Sequence, residues 1–254
     1  MNLITATGVV YAREMRPTLR NPMAIITGLI QPLLYVALFG PLLSTFALPG
    51  VSSGGGTPWT WFIPGMLVFT TLFGTAFAGA DIMYERDMGS LERLLASPLN
   101  RVALLVGQVG RQLTTLLLQA LVLIVLVLPF GLDVDPLGTV LGLVMLLVLA
   151  AGVGVGSLGL GLVLKQAYLF YTAVQTAILP LMLTAGMLLP MDAAPGWLFW
   201  LSRINPLTHV VNAERALFAG NFGHPSILIA LAITVLGCAG ATAFALRAIR
   251  KLSA

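Results

Sequence analysis

The densest run of ionisable side chains is Glu85-Arg-Asp-Met-Gly-Ser-Leu-Glu-Arg-Leu-Leu-Ala-Ser-Pro98, a cassette flanked on both sides by long stretches almost free of charge. Its apolar residues Met88, Leu91, Leu94 and Leu95 have helical spacing, whereas Glu85, Asp87, Glu92 and Arg93 lie largely elsewhere around the turn, and Pro98 stops the segment. The chemistry this pattern supports is recognition rather than bond making. An amphipathic helix of this kind is either an inert element on a membrane surface or a ball fitted to the socket of a soluble partner, and the spacing by itself fits both.

Candidates for covalent or metal chemistry fail on spacing. His209 and His224 are far apart, Cys238 is isolated, and no acidic pair falls within an apolar run, so neither a metal centre nor an intramembrane hydrolase has its groups. Cys238 cannot form an intrachain disulfide and reads as small-residue packing. Gly154-Val-Gly-Ser-Leu-Gly159 matches the letters of a dinucleotide-binding fingerprint, but it lies deep in an apolar run, with no preceding strand and no acidic residue at the required distance. Gly152, Gly156 and Gly159 instead fit a stripe that lets another helix approach closely. Neither Lys165 nor Lys251 follows a glycine, so a phosphate-binding loop is missing and any ATP chemistry must come from another chain.

An ion-coupled carrier needs an intramembrane carboxylate. Asp81 is the candidate, yet it falls one turn from the end of its apolar run, where an interfacial cap or a partner for Arg86 is the simpler reading. Gln31, Gln119 and Gln175 are the amides left inside apolar runs; helix–helix hydrogen bonding is favoured there over contact with a translocated substrate.

The element that must position all of these is a bilayer. Charged residues are 9% of the chain, against roughly 25% in soluble domains. The net charge of +4 raises the question of nucleic acid, but the basic residues sit beside apolar runs without an aromatic-interleaved stripe, which fits topology better. Spans of about 20 apolar residues are predicted at 23–47, 59–83, 104–130, 137–164, 168–190 and 226–248. Arg111 would cost roughly 2.5–3.5 kcal/mol at mid-bilayer, so the third helix is expected to start in the cytosol and enter lipid near Leu113.

Residues 1–20 read as an interfacial helix with Ile4, Tyr11, Met15 and Leu19 on one side, Arg13, Arg16 and Arg20 on the other, and a bend at Pro17. No cleavable leader is apparent. The segment 191–225 carries Trp197, Phe199, Trp200 and Ile204 but is broken by Pro195, Pro206 and Gly220, which predicts two short re-entrant helices; an interfacial aromatic belt fits Trp197 and Trp200 equally. Arg13, Arg16, Arg20, Arg86, Arg93, Arg101, Lys165, Arg247, Arg250 and Lys251 all fall on one side, against Arg203 and Arg215 on the other, so both termini and the cassette are expected in the cytosol. The expectation is an all-α membrane protein forming a single domain over 1–254. It has six transmembrane helices, an interfacial helix at 1–20, a cytosolic helix at 84–99 and re-entrant helices at 191–225 before the last span.

The cassette from Glu85 through Pro98, continued by Leu99-Asn-Arg101 and then Gly107-Gln108, resembles the signature of ABC-2 type export permeases. Pro195-Gly-Trp-Leu, Ile204-Asn-Pro-Leu-Thr208 and Ala213-Glu-Arg-Ala-Leu-Phe-Ala-Gly220 are similar to that family's segment between its last two crossings, where Asn205, Pro206 and Arg215 lie. The resemblance implies that Glu85, Arg86, Gly89, Ser90, Leu91, Glu92, Leu94 and Pro98 belong to a coupling helix seated on an ATP-binding subunit, with Ser90 where threonine is more usual. Lys165 and Gln166 would add a second cytosolic contact.

It further implies a non-enzymatic, multi-pass permease subunit of the bacterial cytoplasmic membrane. Two ATP-binding subunits would hold ATP and magnesium, a second permease copy or paralogue would complete the path, and no cofactor would sit on this chain. Bacterial origin also fits the preference for arginine over lysine, since all basic residues but Lys165 and Lys251 are arginine. The expected cargo is an amphipathic drug or lipid-like molecule; a lipid-linked polysaccharide is the alternative, and an ion-coupled secondary carrier is the rival from another class.

Glu92→Lys or Leu91→Asp is expected to uncouple ATP hydrolysis from export while the protein still inserts. Unchanged export with either variant, measured in vesicles, would take the cassette out of the mechanism.

Overall fold

The computed structural model describes residues 3–21, 23–45, 57–89, 101–164 and 166–251, and among them the chain is helical with no strand. The helices are α1 (Leu3–Arg20), α2 (Met23–Thr45), α3 (Pro58–Ala76), α4 (Gly79–Asp87), α5 (Arg101–Val127), α6 (Pro136–Val163), α7 (Ala167–Thr184), α8 (Gly196–Ile204), α9 (Pro206–Phe218) and α10 (Pro225–Lys251). Short 3₁₀ turns at Leu128–Phe130 and Met191–Ala193 join some of them. Six apolar stretches are long enough to cross a membrane: one each in α2, α5, α6, α7 and α10, and one made of α3 together with α4. They correspond one to one with the spans expected from sequence.

Helix α6 is the axle. It packs most extensively on α10 and also meets α3, α4, α5 and α9. Its glycines make this possible, because lipid supplies no hydrophobic drive between helices and close packing must do the work. A methyl group at Gly152 would stand 3.0 Å from the Cα of Cys238, and one at Gly159 would stand 3.0 Å from the Cα of Ala245. Cys238 thus packs as a small residue, as its isolation suggested. At the two ends, Gly138 lies against the carbonyl of Leu217 and Gly161 against the backbone of Gly79. The main apolar core lies between these helices and includes Phe62, Phe69, Leu123, Leu146, Val211 and Phe218.

Three expectations need correction. Helix α1 runs through Pro17 without interruption, and its buried face is Ala6, Val10, Met15 and Thr18, while Leu19 is exposed. The reason is a protein seat: Val10 and Tyr11 lie on Gly107 and Gly110 of α5, so α1 packs on the bundle as well as presenting arginines outward. The second span is two helices, parted at Phe77-Ala78. The fifth helix stops at Thr184 rather than running on to residue 190, because Gly186 adopts φ +71° and reverses the chain. Two helices, α8 and α9, do form between the last two spans.

Replacing Gly152 by leucine is expected to destabilise the bundle by roughly 1–3 kcal/mol through overpacking. The same change at Gly240, whose added Cβ would meet nothing within 4 Å, should leave stability within about 0.5 kcal/mol. Thermal unfolding in detergent compares the two.

Candidate functional site

At the end of the bundle where α1, α4 and the start of α5 meet, five charged side chains and an amide lock three helices together. Arg13 of α1 donates to Glu85 of α4 at 2.9 Å, and Gln108 of α5 donates to the other carboxylate oxygen at 3.3 Å. Arg111 of α5 forms an ion pair with Asp81 of α4 and lies 3.9 Å from Glu14 of α1. Tyr11 and Thr114 add a hydroxyl–hydroxyl contact at 3.0 Å. Asp81 is therefore the counter-ion of Arg111, not of Arg86. This pairing also offsets the cost of placing Arg111 in the third span.

Arg86 has a different task. It donates to the carbonyl of Leu164 at 3.0 Å, tying α4 to the C-terminal end of α6 just before Lys165 and Gln166. The two contacts implied for a partner are thus joined through one guanidinium. Helix α4 ends at Asp87, and Gly89, at φ +66°, turns the chain left-handed with its N–H bonded to the Arg86 carbonyl. Glu85 and Arg86 accordingly close a helix that rises from the bundle, rather than opening a separate helix at 84. Ser90, Leu91, Glu92, Leu94, Pro98 and Lys165 lie outside the described residues, while Gln166 is exposed and stands at the N-cap position of α7 without a side-chain capping bond.

The α3–α4 break sits above this clamp and is mended from α6. The Ser157 hydroxyl donates to the Ala76 carbonyl and accepts from the Gly79 N–H at 2.9 Å, so backbone groups released by the break keep partners inside the bundle. Phe170 and the Ser157 carbonyl press on Gly79 and leave no room for a side chain there. The result is a joint closed by one hydroxyl, with a rigid helix on each side.

Beside the joint runs a groove in which polar side chains stand among apolar ones such as Phe69, Phe73, Phe77 and Leu116. One part, about 260 Å³, is lined by Asp81, Arg111, Gln112, Thr115 and Gln119; the next, about 170 Å³, by Thr27, Gln31, Thr70 and Gln119, and both share Gly28 and Gly74. Gln31 and Gln119 thus line the same part of the groove, and Gln119 also donates to the Ile25 carbonyl at 3.4 Å. Gln175 does not join them; it faces outward from α7. Gln112, not singled out from sequence, is buried with both amide atoms unpartnered, wedged against Gly154.

The opposite end is stitched by Asn205 and Arg215. Asn205 caps α9 by accepting from the Leu207 N–H at 2.9 Å while its amide donates to the Leu181 carbonyl at 2.6 Å and the Thr184 hydroxyl at 2.8 Å. Arg215 donates to the carbonyls of Trp61 at 3.0 Å and Gly186 at 2.7 Å, its guanidinium stacked 3.8 Å over the Trp61 ring. Pro206 opens α9 at its first position, where its missing N–H costs nothing. Next to Arg215, Glu214 is fully buried, and neither carboxylate oxygen has a hydrogen-bond partner; Gly142 of α6 leaves the space it fills. Sequence reasoning passed over Glu214 in favour of Asp81, which is half exposed. The signal was present in the helical spacing, since Glu214 lies between Val210, Val211, Leu217 and Phe218 on one apolar face.

Six apolar crossings, an ionic clamp at one end and a groove between helices describe a multi-pass membrane protein. The chain belongs to the ABC-2 type transporter membrane family, whose model matches residues 5–219. It is 29% identical to transport permease ycf38 of Cyanophora paradoxa over 79% of this chain and 69% of that protein. The namesake in Pyropia yezoensis is 27% identical over 86% and 75%. The daunorubicin resistance ABC transporter permease protein DrrB1 of Streptomyces coeruleorubidus is 23% identical over 91% and 81%. The chain is accordingly a transport permease by family.

Ser157→Ala is expected to leave the buried Gly79 N–H unpaired, at a cost of about 1–3 kcal/mol, and to loosen the α3–α4 joint. Faster amide exchange at Gly79–Met83 with unchanged exchange in α10 is the measurement that checks it.

Proposed function

We propose that this chain is the membrane-spanning subunit of an ATP-driven exporter in a bacterial cytoplasmic membrane, with both termini in the cytosol. ATP and magnesium sit on a separate ATP-binding subunit, two of which serve a pair of permeases. The observation that carries this reading is the clamp: α4 leaves the membrane at Gly89 already bonded to α1 and α5 through Glu85 and Asp81. A partner that pushes the segment from Ser90 to Pro98 moves three helix roots together. The uninterrupted α5, Arg101–Val127, carries that displacement into the bilayer, and Arg86 passes part of it to α6. The Lys165-Gln166 turn is the second place where the partner bears.

The path runs between two permease copies. Gln175 supports this, because an amide turned outward in lipid lacks a partner unless a second chain supplies one. An amphipathic drug or lipid-like molecule is the cargo that fits a groove where aromatic and aliphatic side chains stand beside amides and hydroxyls and the charges are paired, and the daunorubicin-resistance relative favours a drug over a lipid-linked polysaccharide. Glu214 favours one rival reading, an ion-coupled carrier, since a buried carboxyl without a partner is what such carriers protonate.

Proteoliposomes holding the permease and its ATP-binding subunit separate the two. Export of a fluorescent amphipathic drug should require ATP, ignore an imposed proton gradient, and survive Glu214→Gln. Transport driven by the gradient alone and abolished by Glu214→Gln would establish the carrier instead.

A further inference from the structure

At the end of the bundle away from the clamp, Trp61 of α3, the turn after α7, α8, α9 and the start of α10 line an open cavity of about 620 Å³. Its polar wall holds Arg203, Arg215, His209, His224, Asn212 and Asn221, and among the described lining residues none is acidic. This concentration of donors contrasts with the rest of the membrane region, whose arginine at the clamp is ion-paired. Arg215 is engaged with the turn after α7, so the charge available to a guest comes from Arg203. Its guanidinium stacks 5.1 Å over the Phe199 ring, and no carboxylate pairs with it among the described residues. His209 is held beside it, its Nε2 3.2 Å from the Arg203 carbonyl.

The other side of α8 is bare and apolar. Trp197, Trp200 and Ile204 are 71%, 69% and 79% exposed, while Phe199, Ser202 and Arg203 of the same helix face the cavity. One short helix therefore separates a basic, hydrogen-bonding chamber from a surface suited to acyl chains or fused rings. An arginine fork matches the oxygens of phosphate and carboxylate groups.

We propose that this cavity binds the acidic headgroup of an amphiphile, a phosphate or carboxylate, whose apolar part lies along the Trp197–Trp200–Ile204 face. The assignment deepens the export reading and rests on it: the cavity becomes the place where the head of a cargo molecule arrives on the outer side, and the cargo acquires a negative charge.

The test uses the full chain in phosphatidylcholine nanodiscs, with bromine-labelled phosphatidylglycerol or bromine-labelled phosphatidylcholine quenching the tryptophans, all of which, Trp59, Trp61, Trp197 and Trp200, belong to this end. Phosphatidylglycerol should quench at a mole fraction about fivefold or more lower than phosphatidylcholine. Arg203→Gln with His224→Gln, and separately Asn212→Asp, should erase that preference without changing phosphatidylcholine quenching or the melting temperature. Arg203→Lys should keep most of it.

Equal quenching by both lipids, or a preference that survives in the Arg203→Gln/His224→Gln protein, overturns the proposal. Displacement of phosphatidylglycerol by inorganic phosphate would assign the cavity to a free oxyanion and overturn the amphiphile. The binding needs neither ATP nor a partner, so a lipid preference without ATP-driven export upholds the site and removes the export reading. ATP-driven export without the preference does the reverse.

Discussion

Everything in this bundle is arranged around a helix that has no side chain where its neighbours press on it. Along α6, Gly138 meets the end of α9, Gly142 meets Glu214, Gly152 and Gly159 meet α10, Gly154 meets Gln112 of α5, and Gly161 meets Gly79 at the head of α4. Water would reward burying large apolar side chains at these points; lipid does not, and close backbone approach supplies dispersion contacts instead. The same close approach brings Ser157 within reach of the α3–α4 break and leaves room for a buried carboxyl at Gly142. Both functional ends are thus set by one glycine-paved surface.

A second regularity follows from the first. Helices here are interrupted where the chain must turn or hinge, and several of these interruptions are answered by a side chain, from another helix or from the cap itself. Ser157 serves the break before α4, Asn205 and Arg215 serve the end of α7, and Asp135 caps α6 through the Gly138 N–H at 2.6 Å while its own N–H bonds to the Phe218 carbonyl at 2.9 Å. Away from water an unanswered carbonyl or N–H is costly, so these joints hold one geometry and transmit displacement.

The spans were legible because about 20 apolar residues in a row have few alternatives, and the close packing at Gly152, Gly156 and Gly159 was legible from their spacing. The family resemblance was legible in the cassette and in the stretch from Pro195 to Gly220. The break at Phe77-Ala78 was not, since nothing local announces it and the hydroxyl that stabilises it comes from residue 157. Nor was the Asp81–Arg111 pair, because Arg86 is nearer in sequence and only the fold turns it toward Leu164 instead. The seat of α1 was half hidden for a related reason: Tyr11 and Met15 were read on its apolar side, but Leu19 is exposed and a pair of glycines on α5 receives Val10 beside Tyr11. Glu214 differs from these, having been readable from its apolar neighbours at helical spacing.

The lodging of α1 on Gly107 and Gly110 carries a consequence for biogenesis. The ribosome makes α1 before α5, so the seat of α1 emerges only after the first two crossings have been made and the third has begun. Until then the amino-terminal helix has only the bilayer surface to rest on, which is where its three arginines and exposed Leu19 suit it. Helix α1 is therefore synthesised ahead of the seat it finally occupies, and its docking waits for α5.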